Sequence, residues 1–409
     1  LKTSSPVDLV VVGGGAAGFF GAIAAAELNP ALSIVILEKT TKLLSKVKVS
    51  GGGRCNVTHH CFEPTPLSKH YPRGSKELKS LFRKFQAKDV VDWFESKNVK
   101  LKTEDDGRMF PFTNSSQTII DCFLSEAARH RIDVRLQAEV RAITPTATGF
   151  VLAVNGEEIT TTKVLIAAGG YPSSDSYGWL RKLAPVIEPI PSLFTFNDSQ
   201  SMFKDLMGVA VPFAEIKIAG TKLLETGPVL ITHWGLSGPA VIKLSSWAAE
   251  LLHEKKYTFT ALVNWTGTST EEALRQDLQY INIHHGKQKI YSNPLHKIPS
   301  RLWVRLCELA EIEESRTWAE LPRKSLNRLV EFMIRCPFEI KGKTTFKEEF
   351  VTCGGVDLKS IHLETMESKT TKGLYFAGEV LNIDGETGGF NFQSAWTTAY
   401  VAAQAISNA

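Results

Sequence analysis

The hydrophobic pattern of the chain is dominated by short, unbroken apolar runs that end in glycine. Leu9-Val10-Val11-Val12 runs into Gly13-Gly14-Gly15-Ala16-Ala17-Gly18, and an almost wholly apolar stretch continues from Ala17 to about Leu28. A second run, Ser33 to Leu37, stops at Glu38, and a third, Thr162 to Ala167, stops at Ala168-Gly169-Gly170. A fourth, Gly373 to Ala377, stops at Gly378-Glu379. Runs of four to six apolar residues bounded by turn residues are the mark of strands buried on both faces, as in a parallel sheet. Helical spacing comes between them. Leu78, Leu81, Phe82, Phe85, Val90 and Phe94 predict one helix from Ser75 to Phe94, and Ser116 is placed as the cap of another to about His130. Arg108–Phe112, Val134–Ile143 and Phe150–Val154 read as short strands.

From about Glu188 the pattern changes. Pro189, Pro191, Pro212 and Pro228 punctuate short β-rich segments such as Glu215–Ile218 and Tyr257–Val263. Helical periodicity then returns over Glu271 to His284, Ser300 to Glu311 and Ser325 to Ile334, with Trp303 and Trp318 expected in a core. The order predicts an α/β protein: a doubly wound domain from residues 1–189 and 350–409, a β-rich insert from 190–270 and 337–349, and a helical insert from 271–336.

Composition narrows this only slightly. With 409 residues, 43% hydrophobic and 22% charged, the chain is too long for one core and reads as globular. No apolar run is long enough to span a bilayer. The absence of a basic-then-apolar leader is read as favouring the cytoplasm. A formal charge of +4 does not by itself point to nucleic acid. Arg301, Arg305, Arg323, Lys324 and Arg328 of the helical insert read as a solvated face. The six cysteines show neither zinc-type pairs nor a disulfide framework, so no metal is expected. Cys55 and Cys61, with five residues between them, two of them histidines, lack the spacing of a redox pair.

Chemistry enters with the glycines. Gly13, Gly15 and Gly18 fit G-x-G-x-x-G between a strand and a helix: the first for the turn, the second for approach to a pyrophosphate, the third for helix–strand packing. The helix N-terminus offers free N–H groups and partial positive charge to phosphate. Glu38, about twenty residues on, is placed to accept hydrogen bonds from a ribose. Val47 to Thr58, with Gly51, Gly52, Gly53, Arg54, Cys55, Asn56 and Thr58, reads as a second backbone-exposed loop against the same extended ligand. Near the other end, Gly378-Glu379 and Asp384-Gly385-Glu386-Thr387-Gly388-Gly389 precede a helix from Asn391 to about Ile406. A second positive helix end suits a flavin, whose N1/C2 edge gains negative charge on reduction. Ser237 fails the hydrolase pattern because Pro239 stands where glycine is needed, and Pro239 instead marks a helix start.

These motifs carry a family likeness. VVVGGGAAG at 10–18, SGGGRCNVT at 50–58, THWGLSGPA at 232–240, TCGGV at 352–356 and GLYFAGEVLNIDGETGGFNFQSAW at 373–396 resemble the two-dinucleotide-binding-fold flavoproteins. Among these the chain is most similar, over nearly its whole length, to the YhiN/BaiN-like family that includes aminoacetone oxidase and bile-acid dehydro-reductase. The resemblance implies noncovalent FAD in a Rossmann-like domain made from both chain ends. It implies that Gly13, Gly15, Gly18, Glu38, Gly53, Arg54, Asn56, Gly378, Glu379, Asp384 and Gly389, Phe390, Asn391 and Phe392 surround the cofactor. Ala16, Ala17, Lys39, Lys46, Gly52, Cys55, Thr58, Ala168, Gly169 and Gly388 belong to the same expected set. Asn382 and Phe392 depart from the family's usual aspartate and leucine, and Phe392 is expected to reshape the substrate side.

The expected activity is hydride transfer between a small organic substrate and flavin N5, with Asn391, Arg54 and His233 as candidates for polarising or orienting the substrate. A second G-x-G-x-x-G after a strand is missing, so NAD(P)H enters only as a transient electron donor. An amine oxidase and an enone-type reductase both remain open. So does a non-enzymatic flavoprotein that binds RNA or an acidic partner through its basic helical insert. Nothing in the sequence sets the oligomeric state.

Overall fold

A computed structural model describes residues 7–198, 202–345 and 351–408. The chain forms two compact units, residues 1–192 with 347–409, and residues 193–346.

The first unit is built on a nine-stranded mixed sheet whose central strands run parallel. Strand β1 (Val7–Val12) is flanked by β2 (Ile34–Leu37) and β4 (Glu157–Ile166), with β3 (Asp133–Arg135) outside β2. Val11 faces Ile36 on one side and Leu165 on the other. Between β1 and β2 runs helix α1 (Ala16–Leu28), in which every residue from Ala17 to Ala26 is buried. A helix that is apolar all round must be covered all round, and here small residues allow it: a Cβ on Gly21 would come within 2.8 Å of Leu165 and 3.5 Å of Ala399.

Two local expectations are revised. The helix expected over 75–94 is two helices, Ser75–Leu81 and Ala87–Ser96, because Gln86 and Asp89 form a reciprocal cap that starts a new helix. The cap of the helix Ser116–Arg129 is Ser115, which accepts from Gln117 N–H, while Ser116 Oγ donates to the Lys48 carbonyl. In addition, the expected loop 47–53 starts as helix α2 (Ser45–Gly53), broken at Ser50, Gly51 and Gly52, the two glycines at φ 57° and 69°.

The second unit contains a closed six-stranded barrel, in the order β5 (Thr195–Asp198), β8 (Gly235–Ser237), β7 (Leu224–Thr232), β6 (Ala210–Ile218), β9 (Thr258–Asn264), β10 (Cys336–Thr344). Helix α3 (Pro239–Trp247) starts at Pro239, behind Gly238 at φ 100°. Helices α4 (Glu271–His285), α5 (Ser300–Leu309) and α6 (Arg323–Ile334) follow β9. The segments expected as two inserts share one core, in which barrel residues Phe196 and Phe338 join Leu274, Trp303, Trp318 and Leu329 from the helical stretch.

The chain then returns to the first unit. Strand β11 (Leu374–Phe376) pairs in parallel with β4, Tyr375 opposite Leu165, and helix α7 (Phe390–Asn408) packs along α1. Ser407 Oγ donates to the Ala25 carbonyl. No helix among the described residues is long and apolar enough to cross a membrane.

Candidate functional site

The site is best built outward from the carboxyl end of β1, where an open parallel sheet receives ligands. The three motif glycines are not equivalent. A Cβ on Gly13, at φ 116°, would lie 2.4 Å from the Ala167 carbonyl, and one on Gly18 would lie 1.9 Å from the Gly13 carbonyl. Those two positions are closed by the protein itself. A Cβ on Gly15 would meet nothing within 4 Å. Gly15 caps α1 without a side-chain bond, and the first turn, with Ala16 and Ala17, carries no acidic residue. The first N–H groups of α1 lack an intrahelical acceptor, and the space beside Gly15 at this positive end of the helix is open.

Glu38 closes the floor of this opening. One carboxylate oxygen accepts from Gly14 N–H at 2.9 Å and the other from Thr40 N–H at 2.9 Å. Each oxygen keeps a further lone pair for a ribose hydroxyl. Lys39 is exposed, with its ammonium 4.9 Å above the Tyr171 ring. Ala168 is half-buried, and a Cβ on its neighbour Gly169, at φ 73°, would meet nothing within 4 Å.

The 50–58 segment forms the next wall. Gly52 and Gly53 have left-handed backbones and open space where a Cβ would stand. Lys46 Nζ pairs with Glu379 at 2.5 Å, and Glu379 also accepts from Thr352 N–H. Arg54 pairs with Glu104 at 2.5 Å while its guanidinium lies 3.9 Å over Phe110. Cys55 is fully buried, which pushes its thiol up to about 12, and such a thiol is not a nucleophile at neutral pH. Asn56, its amide turned so that both ends are satisfied, accepts from Gly389 N–H and donates to the Thr58 carbonyl. Thr58 Oγ1 donates to Gln393 at 2.5 Å, and Trp396 donates to the Val57 carbonyl. The 50–58 wall is thus fastened to the start of α7.

The 384–392 loop is held by its own side chains. Asp384 is fully buried, bound by both the Nε and a terminal nitrogen of Arg73, and accepts from Ser192 Oγ at 2.8 Å. Burial pushes its carboxyl up, against the pull of Arg73 and Ser192. Asn391 Oδ1 accepts from Gly385 N–H and its Nδ2 donates to the Gly385 carbonyl, so this amide braces the loop. Gly378, Gly388 and Gly389 all have positive φ, and a Cβ on Gly389 would strike the Thr58 carbonyl at 2.6 Å. Phe392 stacks on Trp396 at 5.5 Å. His233 belongs to the second unit, where its ring packs edge-on to Trp234.

Three groups at this loop lie outside the expected set: Glu386 on it, and His59 and His70 packed against it. Phe390 is stacked on His70 at 4.1 Å and on His59 at 4.7 Å. His70 Nδ1 pairs with the buried Glu386, and His59 Nδ1 lies 3.1 Å from the Gly388 carbonyl. The signal was in the sequence as His59-His60 and His70-Tyr71-Pro72-Arg73, but their link to Glu386 spans more than 300 residues. Desolvation lowers the pKa of His59 below its ordinary 6.5, and the nearby His70 pulls the same way, against Gly388, Asp106 and Glu386. A base with a depressed folded pKa takes up fewer protons folded than unfolded. Its stabilising effect is therefore complete above about pH 6.5 and lost as pH falls toward the lower folded value. Thermal melts from pH 7.5 down to 5 should show a loss on the acid side that is smaller in His59→Gln.

The residues fit an extended dinucleotide flavin. Open space lies over Gly15, Gly52, Gly53 and Gly169, beside the Glu38 carboxylate and the Lys46–Glu379 pair. The first turns of α1 and α7 carry no competing acid.

Residues 7–405 match the HI0933-like protein Rossmann domain. The chain is 29% identical over 407 residues to the ribosomal RNA dihydrouridine synthase of Escherichia coli, covering 97% of each. It is 26% identical over 410 residues to the 3-dehydro-bile acid delta(4,6)-reductase of Clostridium scindens, covering 97% of the chain and 98% of the relative. Its fold is similar to that of the 3-ketosteroid delta1-dehydrogenase of Sterolibacterium denitrificans, with a TM-score of 0.52 at 12% identity over 99% of this chain and 100% of that one. A match over almost the entire length places this protein in the HI0933-like Rossmann family of FAD-dependent oxidoreductases.

Proposed function

We propose that the protein reduces a carbon–carbon double bond conjugated to a carbonyl, that the bond is the C5=C6 bond of a uracil in RNA, and that NAD(P)H supplies the electrons. The observation that carries this is the full-length match to two reductases whose products share one chemistry. Dihydrouridine is uridine saturated at the bond conjugated to C4=O, and a delta(4,6)-reductase of a 3-oxo steroid saturates bonds conjugated to C3=O. The RNA substrate departs from the small-molecule expectation, and it is favoured by the higher identity to the RNA-modifying relative.

Bound FAD supplies hydride transfer at its N5. Gly15 and the α1 N-terminus hold the pyrophosphate in this reading, Glu38 the adenosine ribose, and the Lys46–Glu379 pair and the α7 N-terminus the flavin end. Arg54 orients the carbonyl of the substrate, its own position set by Glu104 and Phe110. Asn391 acts as a positioning residue that keeps the loop in shape. His233 remains a candidate for contact with substrate.

The test is anaerobic. NADH or NADPH should bleach the blue flavin absorption, and added uridine-containing ribosomal RNA should restore it. Nucleoside mass spectrometry should then find uridine gaining two hydrogens. Bleaching by aminoacetone, with no reduction of RNA or of a steroid enone, would replace this reading with an amine oxidase.

A further inference from the structure

Most cations on the helical part of the second unit are already engaged. Arg275 is held by Glu271, Arg305 by Asp205 and Glu308, Arg316 by Glu313 and Arg328 by Glu311, while Arg301 donates to the Asp205 carbonyl. One stretch differs. Residues 278–300 contain no Asp or Glu, yet include Lys287, Lys289, Lys297 and three histidines, of which only His296 faces an acid, Asp277, among the described residues.

The centre of that stretch is the last turns of α4. Tyr280 is 59% exposed and Ile283 69% exposed, far beyond what a helix in a packed unit needs to show. The Tyr280 ring lies 4.2 Å from His284, one turn on, which props it from one side. His285, Lys287 and Lys289 follow and are exposed. Neither lysine has an ion-pair partner among the described residues.

An exposed ring, an exposed aliphatic side chain and two ammonium groups without an ion-pair partner, all within ten residues of chain, call for a partner that is both flat and anionic. Single-stranded nucleic acid is such a partner: bases stack on aromatic rings, and phosphates take the lysines. A membrane-binding helix would need a broader band of bulky apolar side chains than Ile283 and one ring provide. We infer that Tyr280, Ile283, His284, His285, Lys287 and Lys289 form a docking face for single-stranded RNA, with Tyr280 as the stacking platform and the two lysines as phosphate contacts. The inference rests on the RNA reading of the function.

Fluorescence anisotropy of the flavin-loaded protein with a fluorescein-labelled single-stranded ribosomal RNA segment tests it. Tyr280→Ala should weaken binding about tenfold or more, and Tyr280→Phe, which keeps the ring, should bind like the parent. Lys287→Ala with Lys289→Ala should flatten the plot of log affinity against log salt by about 1.4, two single-strand phosphate contacts at about 0.7 each. If the parent binds RNA and every variant matches it in affinity and salt slope, the face is wrong while the RNA reading stands. If the parent does not bind RNA but reduces a steroid enone with NAD(P)H, both the face and the RNA reading fall. Binding to phosphatidylserine vesicles in place of RNA, lost in the same variants, also overturns the RNA assignment.

Discussion

Replacing Gly15 with alanine is expected to strip the protein of flavin while leaving the polypeptide folded. The added methyl group meets no protein atom within 4 Å, and the backbone there, at φ −95°, accepts any residue. Alanine is a poorer helix cap than glycine but also restricts the unfolded chain, so the change in apoprotein stability should stay within about 1 kcal/mol. The ligand is affected differently. A methyl group over the first N–H groups of α1 holds a pyrophosphate off two charge-assisted hydrogen bonds, at about 1.5 kcal/mol or more each. That is roughly a hundredfold or greater loss of FAD affinity. Flavin content after gel filtration and a denaturant melt of the apoprotein, measured together, separate the two effects. If Gly15→Ala keeps its flavin, the space above Gly15 is not the phosphate site. Gly18→Ala should instead lower the apoprotein's own stability, because its methyl group would overlap the Gly13 carbonyl.

Asp384→Ala is expected to be strongly damaging, at about 3–5 kcal/mol, because it removes the fully buried carboxylate to which Arg73, itself buried, donates from two nitrogens. The cost reflects abandonment of a partner more than the worth of the pair. The double variant Arg73→Met with Asp384→Leu should therefore recover a substantial part of the loss in a urea melt. A double variant no better than Asp384→Ala would mean that the 384–392 loop needs the pair for its shape and not merely for its charge balance.

How much of this could be read from the sequence follows from what each feature depends on. The strand ends, the α1 glycines and Glu38 were legible because their chemistry is local: a buried run, a turn and a helix start lie within thirty residues. The break after Leu81 was missed because Phe82 and Phe85 keep helical spacing across a turn whose cause, the Gln86–Asp89 cap, is a polar detail beneath an apolar pattern. The helical start of α2 was missed because the three glycines after it dominate the segment. Asp384 was visible as a motif residue, but its pairing with Arg73 depends on two segments more than 300 residues apart. The His59–Phe390–His70 stack was hidden for the same reason. Tyr280 was unremarkable in sequence, since only the packing of α4 decides which of its faces is left to solvent.

The route of the chain also bears on how the protein is made. Strand β4 waits for β11, and α1 waits for α7, while the whole of the second unit is translated in between. At ordinary elongation rates that interval is on the order of ten to forty seconds. During it a nascent chain on the ribosome carries an open sheet edge and an uncovered apolar helix, exposed to chaperones and to neighbouring chains. The barrel unit, continuous in sequence, can fold in the meantime, whereas the first unit closes only after Leu374–Asn408 has emerged. Completion of the first unit is therefore a late event in biosynthesis, and in the proposed reading cofactor loading follows it.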